Sequence, residues 1–204
     1  MAKGGWRRAL VLAGLAAGMS AALAWHWDQP VHLFFSARAG ETWSIWWAQA
    51  AYYAGLGGLQ AGAMALLALA AWRLGRRNLL LDGMGGLGAI LGAGACVQII
   101  KHLVGRPRPR MSLPAWEFFG PTLSSDLHSF PSGHATTSFA LAALLCAFHP
   151  RLAWACYPAA ALISLGRVAG GSHYLSDTLG GALLGLAVGW PLAASLRRWR
   201  EEQA

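Results

Sequence analysis

The chain has 204 residues, 56% of them hydrophobic and only 12% charged, and carries a formal net charge of +8. Such a composition excludes an ordinary water-soluble domain and makes the bilayer the expected solvent. Nucleic acid is excluded as the partner of the basic charge, because the cations sort by predicted membrane side rather than into one patch.

Six apolar stretches approach the roughly 20 residues needed to cross a hydrocarbon core. They lie at 9–25, 49–72, 84–104, 133–149, 152–168 and 178–196. They predict an all-α polytopic membrane protein, a bundle of six transmembrane helices in a single domain over residues 1–204. No extended strand alternation competes with them, which argues against a membrane β-barrel.

The first stretch follows Lys3, Arg7 and Arg8 and ends in Ala22-Leu23-Ala24; it also has the shape of a secretory leader, and is read here as a retained helix. Residues 42–47 (TWSIWW) lie either along the interface or as an extension of the second span. The third span ends at Lys101, and residues 105–130, with Pro107, Pro109, Pro114 and Pro121, read as an extended loop. Pro131 and Ser132 open the fourth span, Arg167 ends the fifth, and His173 and Asp177 lead into the sixth. Small-xxx-small spacings at Gly58 and Gly62, Gly88 and Gly92, and Gly181, Gly185 and Gly189 predict closely packed faces. Trp25, Trp27, Trp72, Trp154 and Trp199 stand at predicted helix ends, as an interfacial aromatic belt requires. Cys96, Cys146 and Cys156 fall inside spans without metal-like spacing and read as core residues.

If six helices alternate, Lys3, Arg7, Arg8, Arg73, Arg76, Arg77, Arg151, Arg197, Arg198 and Arg200 share one side. The positive-inside rule makes that side, and both termini, cytoplasmic. The opposite side holds Arg38, Lys101, Arg106, Arg108, Arg110 and Arg167. Most of these sit in three strings: 101–109 (KHLVGRPRP), 131–134 (PSGH) and 167–177 (RVAGGSHYLSD).

The strings occupy the outer ends of spans three to six, so a bundle brings them together in an active site at the outer-face helix ends. Ser132 suits an N-cap and Gly133 admits a ligand close to the backbone, so the amides and dipole of the fourth helix favour an anion. A serine cap followed by glycine is also a common structural feature. Lys101, Arg108 and Arg167 around one point are costly near a membrane unless an anion is bound there. A phosphate fits, with the arginines bidentate and the lysine a point charge, and with no metal or other cofactor required. Arg106 and Arg110 read as a solvated basic face or headgroup anchors.

His173 and Asp177, four apart, share a helical face on which the carboxylate accepts a hydrogen bond from one ring nitrogen. The other nitrogen is then free to attack phosphorus. An interface histidine capped by a nearby acid is the structural alternative. His134 suits the leaving group, first as acid and then as base for water. His128 and Asp126 are candidates for substrate contact, whereas His26, His32, His102, His149 and Glu117 read as surface or interface residues. Zinc on His134, His173 and Asp177 is disfavoured by the surrounding cations.

The full pattern is Lys101, six residues, Arg108-Pro109; Pro131-Ser132-Gly133-His134; and Arg167, five residues, His173, three residues, Asp177. It resembles the type 2 phosphatidic acid phosphatase superfamily over a core of about residues 84–196. The resemblance implies a phosphohistidine intermediate on His173 supported by Asp177, with His134 as the acid. It implies phosphate binding by Lys101, Arg108, Ser132, Gly133 and Arg167. One departure is that the family usually has serine before the third-motif arginine, where this chain has Gly166.

Family members include phosphatases for undecaprenyl diphosphate, phosphatidylglycerophosphate, phosphatidic acid and the lipid A 1-phosphate. The expectation is therefore a metal-independent lipid phosphatase of a bacterial cytoplasmic (inner) membrane, with its site facing the periplasm or exterior and a phosphorylated membrane lipid as its partner. A phosphotransferase that passes the group from His173 to a second lipid or sugar is the main alternative. A non-enzymatic binder of anionic headgroups is the remaining one.

Overall fold

The computed structural model describes Ala22 and residues 25–202, and the regular structure among them is entirely helical. The predicted first span, its flank of Lys3, Arg7 and Arg8, and the choice between leader and retained helix lie outside the described residues. Helix α1 includes residues 25–36. It is followed by α2 (Thr42–Gly55), α3 (Gly57–Arg73), α4 (Arg77–Val104), α5 (Gly133–Phe148), α6 (Ala153–Ala169) and α7 (Leu175–Glu202).

Among the described residues, three helical segments are long and apolar enough to cross a membrane: Arg77–Met111, Pro150–Ala169 and Leu175–Glu202. The pair α2 and α3, bent by 49°, makes a fourth crossing if it is one span. The predicted span 49–72 is thus two helices. Leu56, between two glycines, takes an extended conformation (φ −61°, ψ 113°) and ends α2. Backbone freed at a break inside lipid needs a partner. Gln60 supplies one by donating from Nε2 to the Ala54 carbonyl at 3.0 Å. Residues 42–47 are helical and form the start of α2. Helix α5 is apolar but has 16 residues, about 24 Å of helix.

Helix α5 packs against α4, α6 and α7. A Cβ at Gly181, Gly185 or Gly189 of α7 would run into the backbone carbonyls of Ser132, Thr136 and Ala140 on α5, so these glycines set the close approach. The other glycine spacings do different work. A Cβ at Gly88 or Gly92 would make ordinary contact, at 3.7 Å to Leu192 and 3.6 Å to Val188, and Gly58 and Gly62 face open space. The shared core is small and tight: Ala89, Ala93, Ala140, Leu144 and Ala193.

At the end of the bundle where α4 begins, Asp82 is buried and accepts from Arg200 at 2.6 Å and from His149 at 2.8 Å. At the other end the loops 105–132 and 170–174 join the tips of α4 to α7, and the three strings run through these loops and the adjoining helix ends.

Candidate active site

Lys101 stands in the last turn of α4 and is buried. The helix stops at Gly105, whose left-handed backbone (φ 63°) turns the chain into Arg106-Pro107-Arg108-Pro109. The returning loop satisfies the open carbonyls of that turn: Phe119 donates to Gly105 at 2.9 Å and Thr122 to His102 at 2.9 Å. Loop and helix end are therefore fixed together.

Three cations surround a cavity of about 440 Å³ lined by Lys101, Arg108, Arg167, Gly133, His134, His173 and Tyr52. Lys101 Nζ donates to the His128 carbonyl at 2.6 Å. Arg108 donates to the carbonyls of Ser125 (3.0 Å) and Ser172 (3.3 Å). Arg167 donates to Ser172 Oγ at 2.8 Å. Among the described residues, none of the three pairs with a carboxylate. Arg167 Nε and Ser132 Oγ are buried with no hydrogen-bond partner in the structure. Ser132 is the N-cap residue of α5, as its position predicts, but its hydroxyl makes no capping bond. Buried polar atoms without partners beside cations that face no carboxylate among the described residues suit an anion.

His134, on the first turn of α5, donates from Nε2 to the Tyr52 carbonyl at 3.1 Å. Its ring fits because the α2–α3 break places Gly55 against it; a Cβ there would lie 2.6 Å from His134 Cδ2. His173 precedes α7 and is 3% exposed. Its Nδ1 donates to the Ser129 carbonyl at 2.8 Å, which leaves Nε2 without a proton. Burial is the main influence on this imidazole and pushes its pKa down to about 4, against an opposing pull from Asp177. His173 is therefore neutral near pH 7.

The expected hydrogen bond from His173 to Asp177 is not made. Asp177 Oδ2 lies 3.7 Å from His173 Nδ1, beyond hydrogen-bonding distance. The four-residue spacing meets only when both residues are helical, and α7 starts at Leu175. Asp177 instead caps the helix by accepting from the Tyr174 amide at 2.7 Å, in the manner of a capping box. It also accepts from Ser129 Oγ at 2.6 Å and from Arg106 at 2.5 Å. The carboxylate thus holds the residue that holds the ring.

Arg106 is not part of a solvated face. It is 1% exposed and bridges Asp177 and Asp28, the latter at 2.8 Å. Arg110 does lie at the surface, paired with Asp126. His128 and Asp126 do not line the cavity; they support it, through the His128 carbonyl under Lys101 and the Asp126 carbonyl accepting from the Arg108 amide at 3.0 Å. Trp25 is no simple anchor either, since its ring covers the Arg106 guanidinium at 4.6 Å. Asp28, Ser129 and Tyr52 carry no motif spacing, and Ser129 and Tyr52 act partly through backbone carbonyls, which any residue supplies. Gly166 has a packing reason: a Cβ there would collide with Ala51 of α2 and press on the Trp47 indole at 3.1 Å.

Helices able to cross a bilayer, ending in a cation-lined cavity with two histidines, define a multi-pass membrane protein with polar chemistry at one end of its bundle. The chain belongs to the PAP2 superfamily, whose sequence model matches residues 83–201. A lipid A 1-phosphatase of Rhizobium johnstonii is 35% identical over 95 residues, 46% of this chain and 39% of that protein. A lipid A 1-phosphatase of Rhizobium etli is 33% identical over 100 residues, 48% of this chain and 42% of that protein. The matched region thus spans about two fifths of the length of these curated relatives. The crystal structure of a transmembrane PAP2 type phosphatidylglycerolphosphate phosphatase from Bacillus subtilis superposes with a TM-score of 0.68, covering 92% of this chain and 96% of that one. At 20% identity it shares the fold.

Proposed function

We propose that the protein is a lipid phosphatase that hydrolyses a phosphomonoester or diphosphate of a membrane lipid through a phosphohistidine on His173. One observation carries this reading. Three cations without carboxylate partners among the described residues, with Ser132 Oγ and Arg167 Nε buried and open beside them, enclose a cavity that two histidines line. Lys101, Arg108 and Arg167 would neutralise the equatorial oxygens, with the Ser132 hydroxyl and the amides at the start of α5 completing the cradle.

In the first step Nε2 of His173 bonds to phosphorus as the bond to the lipid oxygen breaks, and His134 gives that oxygen its proton. In the second, His134 takes a proton from water, the hydroxide bonds to phosphorus, and the bond to His173 breaks to release inorganic phosphate. Asp177, beside the ring, stabilises the cation that forms during attack. The charge distribution favours a site on the periplasmic or exterior side of a bacterial inner membrane, with Arg73, Arg76, Arg77, Arg151, Arg197, Arg198 and Arg200 on the cytoplasmic side.

The names of the relatives make the 1-phosphate of lipid A the first substrate to assay, followed by phosphatidylglycerophosphate, phosphatidic acid and undecaprenyl diphosphate. Purified protein in excess EDTA should release phosphate from at least one of the four, with label trapped on protein by an alkaline denaturing quench, which the P–N bond of a phosphohistidine survives. Release that continues undiminished in His173→Ala would sink the proposed nucleophile.

A further inference from the structure

The most enclosed cation among the described residues is not one of the three that line the cavity. Arg106 lies between two rings, with Trp25 and Tyr174 each 4.6 Å from its guanidinium carbon. Within that sandwich it bonds Asp28 at 2.8 Å and Asp177 at 2.5 Å, and donates to Ser176 Oγ at 2.7 Å. Asp28 extends the grip by accepting from the Ser176 amide at 2.7 Å and from its hydroxyl at 2.5 Å. The Arg106 carbonyl accepts from the Ser129 amide at 3.0 Å. One residue thus holds Ser129 by its backbone and, through Asp177, by its side chain.

We infer that Asp28 and Arg106 form a charge clamp that positions the Ser129–Asp177 support of His173, so that α1 completes the site. A buried guanidinium facing a single carboxylate would cancel the charge that the imidazole needs nearby when it becomes cationic. Two carboxylates on one guanidinium leave a negative excess beside His173 while still fixing Asp177 rigidly. Asp28 supplies the second carboxylate. The clamp touches no part of the cavity, so both residues are positioning residues.

The proposal rests on the reading of His173 as the nucleophile, and its test also has a readout that needs no turnover. The groups facing His173 are Lys101 of α4, Arg108 of the following loop, His134 of α5, Arg167 of α6 and Asp177 of α7; none is altered. The full chain, labelled with 15N-histidine and assigned with His173→Gln, is titrated as wild type, Asp28→Asn, Arg106→Gln and the double variant. Asp28→Asn removes a negative charge and should move the His173 midpoint to lower pH. Arg106→Gln removes a positive charge and should move it to higher pH, each by about 0.5 unit or more, a roughly 3-fold change in proton affinity. The double variant keeps the wild-type charge sum and should return toward the wild-type midpoint. It also carries the test, against Asp28→Asn, where Arg106→Gln alone strands two carboxylates and does not fold.

On a lipid phosphate that the wild type hydrolyses, Asp28→Asn should lower kcat about 10-fold and leave KM within about 3-fold, because the cradle is intact. Midpoints unchanged in the folded variants, or shifts of the same sign in both single variants, would overturn the clamp. A wild type inactive on all four lipids defeats the hydrolase reading, while the titration still decides the clamp.

Discussion

Each end of the bundle holds a buried aspartate with an arginine and a histidine beside it. At the α4 start Asp82 takes Arg200 and His149, and Arg200 also donates to the Asn78 carbonyl at 3.1 Å and lies over Phe148 at 3.8 Å. There the charges are matched, carboxylate to guanidinium, and Asp82 stands apart from the cation-lined cavity. Around Asp177 one guanidinium, Arg106, is shared with a second carboxylate, Asp28, while Lys101, Arg108 and Arg167 lie beyond it with only neutral acceptors among the described residues. Two polar atoms at the site are buried and open; Arg200 Nε is open too, but in matched surroundings. The same residue types therefore make a structural tie at one end and a candidate site at the other, and the difference is unmatched positive charge around an accessible volume.

That contrast can be broken from either end. The largest effect is expected from His173→Ala, which should abolish phosphate release, a loss of at least ~10⁴-fold in kcat, with the protein still folded by circular dichroism. His134→Gln should lower kcat by about 10² to 10⁴-fold, and an activated lipid phosphate with a good leaving group should recover part of it, because the acid is then less needed. At the opposite end, Asp82→Asn leaves Arg200 uncompensated and should destabilise the protein by about 3 kcal/mol in a denaturation midpoint, while kcat/KM of the folded protein stays within about 2-fold. A large activity loss there would show that the two ends are coupled.

Smaller effects sharpen the picture. Ser132→Ala should lower kcat/KM about 10-fold, worth roughly 1.4 kcal/mol, yet leave stability unchanged or slightly raised, since it removes a buried hydroxyl that has no partner until phosphate binds. The pH profile follows from His173. Its lowered pKa keeps it neutral as pH falls from 7, so kcat/KM should hold on that limb and drop only as pH passes through about 4, where the ring gains a proton and loses its nucleophilic lone pair. A limb near the ordinary histidine value would mean that burial does not govern the ring.

The helices were legible because a bilayer crossing needs an apolar run of fixed length, and α4, α6 and α7 coincide with such runs. The α2–α3 break was not, since the apolar stretch at 49–72 runs on through Gly55-Leu56-Gly57, and only the packed bundle sets Gly55 against His134 and Gln60 against the Ala54 carbonyl. The direct bond from Asp177 to His173 was expected from a helical spacing that starts two residues too late. Glycine spacing marked three candidate faces, but only the α7 ladder meets carbonyls of a partner helix.

By itself the sequence determined the class of chemistry. Lysine, arginines, histidines and an aspartate stand in a hydrophobic chain where only an anion justifies them, and their order carries the family pattern. Only the tertiary structure decided how they are held: that Arg106 is enclosed rather than solvated, that Asp28 and Ser129 belong to the site, and that Gly166 makes room for α2. Those contacts join residues as far apart in the chain as Asp28 and Ser176, and burial, which sets their charge and their partners, belongs to the packed bundle and not to any local spacing.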